Sequence, residues 1–393
     1  MTKAVCGLLL LWLTASAHAV TVPLILEGNA PIVELEFQTP SGSPRMARFL
    51  IDTGGGSFIL GSKLMADIGA QPIGPPTKEE GETLVPLSPM VAKLGGTELD
   101  LSDARPTGMP AYKWPTPRNE AEGLIPGRLL KHYDVVFDYP AQRFTLSEPR
   151  TSTPQGVEFN TPISTPSGFP RIEAQIGGKT YGFLLDTGAS FTMISRTALD
   201  QWAKENPDSP SAIGAVGFAN MSGGKMERQA LMLRIPQLQL GAISLKGVAA
   251  VSRPDATFET YMSSMMTAPI VGSLAGNVLR DFRVEIDYAA GKTYLSQSRT
   301  SVDDDLVSVG LVLSAEHGES LMIRALSSTA APDVKLSVHV GDTLLAVDNI
   351  VLTGKPLAAA ALQLQGKPGT HKRLQLMRDG KALTVTATVK DLL

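Results

Sequence analysis

The chain has 393 residues, of which 43% are hydrophobic, and its formal net charge at neutral pH is −3. This length allows two or three domains with a sizeable core, and the absence of a long basic run argues against a nucleic-acid-binding protein. The 37 Gly and 28 Pro separate many brief alternating segments, which predicts a mainly β structure with a few short helices.

The N-terminus has the pattern of a secretory signal peptide, predicted over residues 1–19. Lys3 precedes an apolar core, Leu8–Leu13, and Ala17-His18-Ala19 is a small-residue cleavage motif. The apolar core is short for a membrane span, although an uncleaved anchor is the alternative. Cleavage removes Cys6, the only cysteine, so neither disulfides nor thiol catalysis is expected. We therefore expect export to a periplasmic or extracellular space, with no stable membrane insertion.

The first predicted domain, residues 20–150, contains a hairpin that ends in an acidic tripeptide. The alternating segment Ile32–Phe37 turns at Ser41-Gly42 and returns through an apolar strand into Asp52-Thr53-Gly54. A short apolar run follows, and then a helix is predicted to open near Ser62. The hairpin therefore delivers Asp52 to the end of a strand.

The second predicted domain, residues 151–297, repeats this order. Ile172–Ile176 turns at Gly177-Gly178 and returns through an apolar strand into Asp186-Thr187-Gly188. A capped helix is predicted to open near Ser195. Two identical tripeptides in matching frames predict a pair of carboxyl groups.

A second pair of segments also matches. Gly123–Leu130 aligns without gaps with Gly272–Leu279 at an offset of 149 residues (272 − 123). The same offset relates the dipeptides Asp138-Tyr139 and Asp287-Tyr288 further along. A repeat of this size predicts two duplicated lobes and not a solenoid.

Two close carboxyl groups suit the hydrolysis of a peptide bond. The ionised member activates water while the protonated member polarises the carbonyl, and two adjacent carboxylates cannot both ionise comfortably. Gly54 and Gly188 allow tight turns whose N–H groups reach the carboxylates. The hydroxyls of Thr53 and Thr187 are placed to bond across a pseudo-twofold axis.

These residues resemble the retropepsin-like and pepsin-like aspartic peptidases, and among them the exported bacterial two-lobed forms, over about residues 25–297. The resemblance implies two β-barrel lobes, Asp52 and Asp186 as the catalytic dyad, and a peptide or unfolded protein as substrate. It also implies the catalytic-loop support residues Thr53, Gly54, Thr187 and Gly188. An apolar pair followed by glycine crosses behind each catalytic loop in this family.

The chain departs from the family at these crossing segments. Pro126 and Ala275 occupy the glycine positions, and glycine follows one residue later. Gly55 and Ala189 also stand where pepsins carry a hydroxyl that bonds the outer carboxylate oxygen. One fewer bond to the ionised form raises the pKa of the dyad, so we expect a mildly acidic to near-neutral optimum.

Peptidases of this family close a β-hairpin flap over the substrate. In the second lobe the segment Ala215–Gly224, followed by a strand returning to Leu233, is the candidate. In the first lobe the equivalent is expected as a charged loop between Ile73 and Leu87.

A third unit is predicted over residues 306–393, and its sequence resembles a PDZ domain. The specific segment is Val340-Gly341-Asp342-Thr-Leu-Leu-Ala-Val-Asp348, followed by a helix over Pro356–Gln365 and a hairpin turned at Asp379-Gly380. By resemblance, the loop Gly310, Leu311, Val312 and Leu313 binds a C-terminal carboxylate, and Leu362 lines the groove. A packed module that only buttresses the peptidase is the alternative.

No cofactor or metal is expected. The histidines after the signal are scattered without ligand spacing, and neither a nucleophile elbow nor a phosphate loop is present. The alternative to an endopeptidase is a catalytically weak or inactive peptidase-like protein that acts as a scaffold through its PDZ domain. A homodimeric half-enzyme is made unnecessary by the second lobe.

Overall fold

The structure, a computed structural model, describes residues 19–79, 82–109, 121–149, 153–214, 229–298, 306–315, 320–355 and 357–393. It is mainly β with barrel-like sheets, as the sequence predicts. The predicted signal peptide, except for its last residue, and the predicted second-lobe flap, residues 215–224, lie outside the described residues.

The first lobe combines short strands with two short helices. Its strands are β1 Val20–Pro23, β2 Ile25–Glu27, β3 Ala30–Gln38, β4 Pro44–Asp52, β5 Ile59–Leu60, β6 Thr77–Glu79, β7 Glu82–Pro86, β8 Lys93–Leu94, β9 Thr97–Glu98, β10 Thr107–Gly108, β11 Gly123–Pro126, β12 Asp134–Asp138 and β13 Arg143–Ser147; its helices are α1 Ser62–Ile68 and α2 Gly127–Leu130. The order β6-β7-β10-β5-β11-β4-β3-β8-β9 describes its main sheet, with β2 added beside β3.

The second lobe repeats the arrangement. Its strands are β14 Val157–Asn160, β15 Arg171–Ile176, β16 Lys179–Leu185, β17 Thr192–Ser195, β18 Ser211–Ile213, β19 Leu231–Leu240, β20 Ile243–Arg253, β21 Gly272–Leu274, β22 Phe282–Asp287 and β23 Lys292–Gln297; its helices are α3 Arg196–Glu205 and α4 Gly276–Leu279. Its main sheet has the order β15-β16-β21-β17-β20-β19-β18, and an additional pairing of β15 with β19 closes it into a barrel. A π-helical turn, Thr257–Met262, and a 3-10 turn, Ser263–Met265, precede β21.

The two predicted hairpins both form. In β3–β4, Ile32 pairs with Leu50, and in β15–β16, Arg171 pairs with Leu184. Gly177 and Gly178 both have positive φ, 58° and 77°, as a tight two-residue hairpin turn requires. The inward residues of each hairpin join one hydrophobic core that runs through both lobes.

Helices follow each catalytic loop, but only one has the predicted cap. The Ser195 side chain accepts the Ala198 N–H at the start of α3. Helix α1 begins at Ser62, as predicted, but its N-cap is Gly61 and no side chain caps it. The helix is followed by Gly69 in the left-handed conformation.

A six-stranded sheet joins the two lobes, in the order β1-β13-β12-β22-β23-β14. The central strands β12 and β22 are antiparallel and pair Asp134 with Asp287 and Asp138 with Arg283. Each of these two strands ends at the aspartate of one of the repeated Asp-Tyr dipeptides. The duplicated sequence therefore forms a continuous sheet across the pseudo-twofold axis.

The C-terminal module has its own core. Its strands are β24 Val307–Ser308, β25 Leu311–Ala315, β26 Leu321–Leu326, β27 Thr343–Val347, β28 Ile350–Val351, β29 His371–Arg378, β30 Lys381–Thr388 and β31 Lys390–Asp391; its helices are α5 Pro332–Ser337 and α6 Leu357–Gln363. The sheet order is β25-β26-β27-β29-β30, so β25 lies at an edge. The predicted helix and the hairpin at Asp379-Gly380 are both present, whereas α5 was not predicted.

The module packs against the second lobe. A shared apolar cluster joins Phe191 and Met232 of the lobe to Val312 and Leu392 of the module. Ser328 Oγ accepts the Ile213 N–H at 2.8 Å, and the Ser328 N–H donates to the Ile213 carbonyl at 3.0 Å. The module therefore contacts β18 directly.

Candidate active site

The two aspartates stand at matching strand ends. Asp52 ends β4, and Asp186 follows β16. In the first lobe, β11 lies between β4, to which it is parallel, and β5, to which it is antiparallel. In the second lobe, β21 lies in the same way between β16 and β17. This crossing holds each aspartate-bearing loop from behind.

The threonines of the tripeptides connect the lobes. The Thr53 N–H donates to Thr187 Oγ1 at 3.1 Å, and the Thr187 N–H donates to Thr53 Oγ1 at 3.0 Å. The Thr53 hydroxyl donates to the Leu185 carbonyl at 2.5 Å, and the Thr187 hydroxyl donates to the Ile51 carbonyl at 2.8 Å. Both side chains are fully buried, so these bonds fix the two loops against each other without competition from water.

The glycines of the tripeptides leave space that the carboxyl groups use. A Cβ on Gly188 would overlap the Asp52 carboxyl group. A Cβ on Gly54 would lie 3.3 Å from Asp52 Oδ1 and 3.5 Å from Asp186 Oδ1. Both carboxyl groups therefore converge on the same small region between the loops.

The environment raises the pKa of both aspartates. Burial raises the pKa of Asp52, and the charge of Asp186 raises it further. Hydrogen bonds from the N–H groups of Gly54 and Gly55 lower it by less. Burial also raises the pKa of Asp186, while the Ala189 N–H lowers it. The Gly54 N–H donates to Asp52 Oδ1 at 2.8 Å, and the Ala189 N–H donates to Asp186 Oδ1 at 3.1 Å. The pair thus favours a shared proton over two charges.

The departures at Pro126 and Ala275 leave the crossing intact. Pro126 pairs with Asp52 at the end of β11. The glycines one position later make the close approaches: a Cβ on Gly127 would overlap the Thr53 carbonyl, and one on Gly276 would overlap the Asn29 carbonyl. The residue that must be glycine has moved along the chain by one position.

Residues beyond the tripeptides also face the dyad. Ser273 is buried beside Asp186 and lowers its pKa, as does the charge of Arg253. The hydroxyls of Tyr139 and Tyr288 are buried and have no hydrogen-bond partner within the described part of the chain. Burial raises the pKa of both phenols, and the charge of Asp186 raises that of Tyr139 while the charge of Asp52 raises that of Tyr288. The repeated Asp-Tyr dipeptides were a signal for the tyrosines, but sequence reasoning assigned them no role.

A cavity of about 980 Å³ opens in the first lobe. It is lined by Ser57, by Thr77 and Leu84 of the β6–β7 hairpin, and by Leu101 and Thr107. The expected charged loop between Ile73 and Leu87 is therefore largely a pair of antiparallel strands. Thr77 and Leu84, which pair across this hairpin, form part of the cavity wall.

The predicted PDZ loop is mostly engaged within the protein. Leu311 and Leu313 are buried in the module core, and Val312 is buried against the second lobe. The Gly310 N–H donates to Ser308 Oγ at 2.9 Å. Leu362, on α6, is 37% exposed. Helix α6 packs near β25, so the structure brings these residues together, with Leu362 as the accessible side chain.

Within the described residues, no cluster of His, Cys, Asp or Glu is arranged to hold a metal ion. Across the same part of the chain, no helix is both long and apolar enough to span a membrane.

Comparison with known proteins shows that part of the second lobe matches a protein family. A family model described as aspartyl protease matches residues 172–274, which include Asp186 and the crossing strand β21. No curated protein matches the sequence.

Two solved structures resemble the chain over a small part of its length. The PDZ domain of a carboxy-terminal protease from Vibrio cholerae, in complex with a peptide, is 22% identical over 22% of this chain and 94% of that one, with a TM-score of 0.20. The photosystem II D1 C-terminal processing protease is 21% identical over 22% of this chain and 24% of that one, with a TM-score of 0.21. The family match therefore gives the conclusion: the second lobe of this chain is similar to the aspartyl proteases.

Proposed function

We propose that the protein is an aspartic endopeptidase that hydrolyses peptide bonds in exported proteins or peptides. The observation that carries this proposal is the convergence of Asp52 and Asp186 on one site, fixed by the reciprocal Thr53–Thr187 bonds. The family match around Asp186 supports it. The site is built from two lobes of one chain, so no partner subunit is required to complete it.

The chemistry follows from one proton shared by two carboxyl groups. The ionised carboxylate takes a proton from water as the water oxygen attacks the carbonyl carbon, and the protonated carboxyl gives its proton to the carbonyl oxygen. As the C–N bond of the tetrahedral intermediate breaks, the carboxyl that took the proton from water gives it to the leaving nitrogen. The other carboxylate takes a proton from a hydroxyl of the intermediate, which yields the carboxylic acid and the amine and restores the starting pair. The raised pKa values of both aspartates favour the singly protonated pair at mildly acidic to near-neutral pH.

The test is cleavage of an unstructured protein by the wild type, by Asp52→Asn and by Asp186→Asn, with and without a statine-type inhibitor. We expect each variant to lose at least about 100-fold in kcat/KM, because removal of either carboxyl abolishes the shared-proton pair. The control is Asp200→Asn, an aspartate on α3 that pairs with Arg196 at the surface. Equal products from wild type and dyad variants would instead support an inactive peptidase-like scaffold.

The module is proposed to recognise peptides as a PDZ domain. The edge position of β25 beside α6 supports strand addition between them. Fluorescence anisotropy with matched peptides bearing a free or an amidated C-terminus tests this role. Tighter binding of the free acid is expected, and no binding of either form would favour a module that only buttresses the second lobe.

Export is proposed from the signal-like N-terminus. Mass analysis of protein purified from the native host is expected to identify Val20 as the first residue. Recovery of an intact Met1 would contradict export with cleavage.

A further inference from the structure

The strand that crosses behind each catalytic loop carries a different residue at the same position in the two lobes. Leu124 of β11 pairs with Leu50, and Ser273 of β21 pairs with Leu184. Leu50 and Leu184 each stand two residues before the dyad aspartate of their lobe. Leu124 and Ser273 are therefore equivalent positions, as their offset of 149 (273 − 124) also requires.

The two lobes also differ in the loop that follows each aspartate: the first has Gly55 where the second has Ala189. A Cβ on Gly55 would lie 2.8 Å from Leu124 Cδ2, so the first lobe has no room for a side chain there. In the second lobe the residue that corresponds to Gly55 is Ala189, and the residue that corresponds to Leu124 is the shorter Ser273; both are buried. The first lobe thus places a hydrocarbon group beside Asp52 where the second places a hydroxyl beside Asp186.

Among the residues that the structure describes, the Ser273 hydroxyl has no hydrogen-bond partner. Ser273 is 0% exposed, so bulk water does not supply one. A buried hydroxyl that donates no hydrogen bond is costly. The Asp186 N–H donates to the carbonyl of Leu274, the residue after Ser273, at 2.9 Å, so β21 brings Ser273 next to Asp186, whose carboxylate accepts strongly when ionised. The Ser273 hydroxyl and the Ala189 N–H both lower the pKa of Asp186.

The other groups facing the aspartates reinforce the asymmetry. Asp186 is approached by the charge of Arg253, by Asp52 and by the phenol of Tyr139. Asp52 is approached by Asp186 and by the phenol of Tyr288. The cation acts on Asp186 and favours its ionised form.

We propose that Ser273 is a positioning residue that donates a hydrogen bond to the Asp186 carboxylate and so makes Asp186 the ionised member of the dyad and Asp52 the protonated one. The inference rests on the proposed function for its catalytic meaning. In the reaction, Asp186 then takes the proton from water, and Asp52 protonates the carbonyl oxygen. Ser273 supplies from a crossing strand the hydroxyl that pepsins carry in the loop itself.

The first test compares Ser273→Ala, Ser273→Thr and wild type in peptide cleavage across pH. We expect the alanine variant to move the acidic limb of the kcat/KM profile upward by about half to one pH unit and to lower kcat about 3- to 10-fold, with KM unchanged. Ser273→Thr keeps the hydroxyl and is expected to restore the wild-type limb. Ser147→Ala, which removes another buried serine hydroxyl from β13, is the control for a purely structural effect.

The second test does not depend on catalysis. Urea unfolding is measured across pH in an Asp52→Asn background, where Asp186 is the remaining dyad carboxyl. Because the pKa of Asp186 is raised in the folded state, stability falls as pH rises through it. Ser273→Ala is expected to move the midpoint of this fall upward by about half a pH unit or more, and Ser147→Ala to leave it in place.

The outcomes separate the two proposals. Dyad-dependent cleavage with an unmoved pH limb and an unmoved unfolding midpoint in Ser273→Ala would overturn the role of Ser273 and leave the peptidase standing. Absence of dyad-dependent cleavage in the wild type would overturn the peptidase, and the unfolding midpoint would still decide whether Ser273 bonds Asp186.

Discussion

At the scale of single residues, the site depends on the missing side chain of a glycine as well as on the carboxyl groups and hydroxyls. Gly188 is required because the Asp52 carboxyl occupies the space of its missing side chain, whereas Gly56 of the opposite loop has open space around it. Each Asp-Thr-Gly motif thus supplies a carboxyl group, a hydroxyl that bonds the opposite lobe, and a glycine whose missing side chain leaves space.

Gly188→Ala is expected to displace the Asp52 carboxyl and to lower kcat/KM by about 100-fold or more, since overpacking at a catalytic group costs roughly 1–3 kcal/mol and misplaces the reacting atoms. Steady-state cleavage assays measure this effect. The matched control is Gly56→Ala, which meets no atom within 4 Å and is expected to cleave like wild type. Similar activity of both variants would contradict the packing argument.

Thr53→Ala removes the hydroxyl that accepts the Thr187 N–H and donates to the Leu185 carbonyl. We expect a loss of about 2–4 kcal/mol in the free energy of unfolding, because two buried groups lose their partner. Urea denaturation measures it. Thr53→Ser keeps the hydroxyl and is expected to lose less than half as much, so equal losses would point to packing and not to hydrogen bonding.

The dyad also predicts the pH dependence of stability. Both carboxyl pKa values are raised by burial, so their contribution is fully present below the unfolded pKa near 4 and is lost as pH rises through the folded values. Asp52→Asn is expected to lose less stability than wild type between about pH 4 and pH 8. Unfolding free energies at several pH values check this, and a loss in the variant equal to that of wild type would contradict it.

At the scale of elements, crossing strands support the aspartate-bearing loops of the two lobes. In the C-terminal module, an ion pair with a buried carboxylate links separate elements. In the C-terminal module, Arg378 binds both Asp342 oxygens at 2.7 Å, and the His339 N–H donates to Asp342 Oδ2 at 2.8 Å. Asp342 belongs to the Val-Gly-Asp segment that suggested a PDZ domain. Its side chain is fully buried and therefore serves the module's structure.

Asp342→Asn is expected to destabilise the module, because it removes the negative charge that pairs with Arg378. Burial raises the pKa of Asp342, but the hydrogen bonds from Arg378 and from the His339 N–H lower it by more. The pKa therefore lies below its usual value. This contribution is present above the unfolded pKa and is lost as pH falls. Hydrogen exchange of β29 and β30 measures it, and unchanged protection would contradict the structural role.

At the scale of the whole molecule, three units share two interfaces. The six-stranded sheet joins the lobes, and the cluster containing Val312 joins the module to the second lobe. Because Ser328 bonds Ile213 at the end of β18, the module contacts the sheet that carries Asp186.

Val312→Asp is expected to detach the module, because it places a charge in an apolar interface where valine is 0% exposed. Hydrogen exchange is expected to rise in β18 and β25 while β29 and β30 remain protected. The control is Val340→Asp, a valine of the same module that is 64% exposed. Unchanged exchange in Val312→Asp would show that the interface is not maintained by this contact.

The sequence by itself determined the mainly β class, the two matching hairpins and the placement of each aspartate at a strand end. These features follow from local alternation, turn glycines and an internal repeat, all of which are encoded by neighbouring residues. The reciprocal bonds of Thr53 and Thr187 could also be anticipated from the repeated tripeptide.

Only the tertiary structure decided how the two halves differ. The space behind Gly55 belongs to Leu124, the hydroxyl beside Asp186 comes from Ser273, and Val312 of the predicted peptide-binding loop packs on the second lobe. Each of these contacts joins segments far apart in the chain, and which atoms fill a shared space is set by packing between elements and not by local pattern.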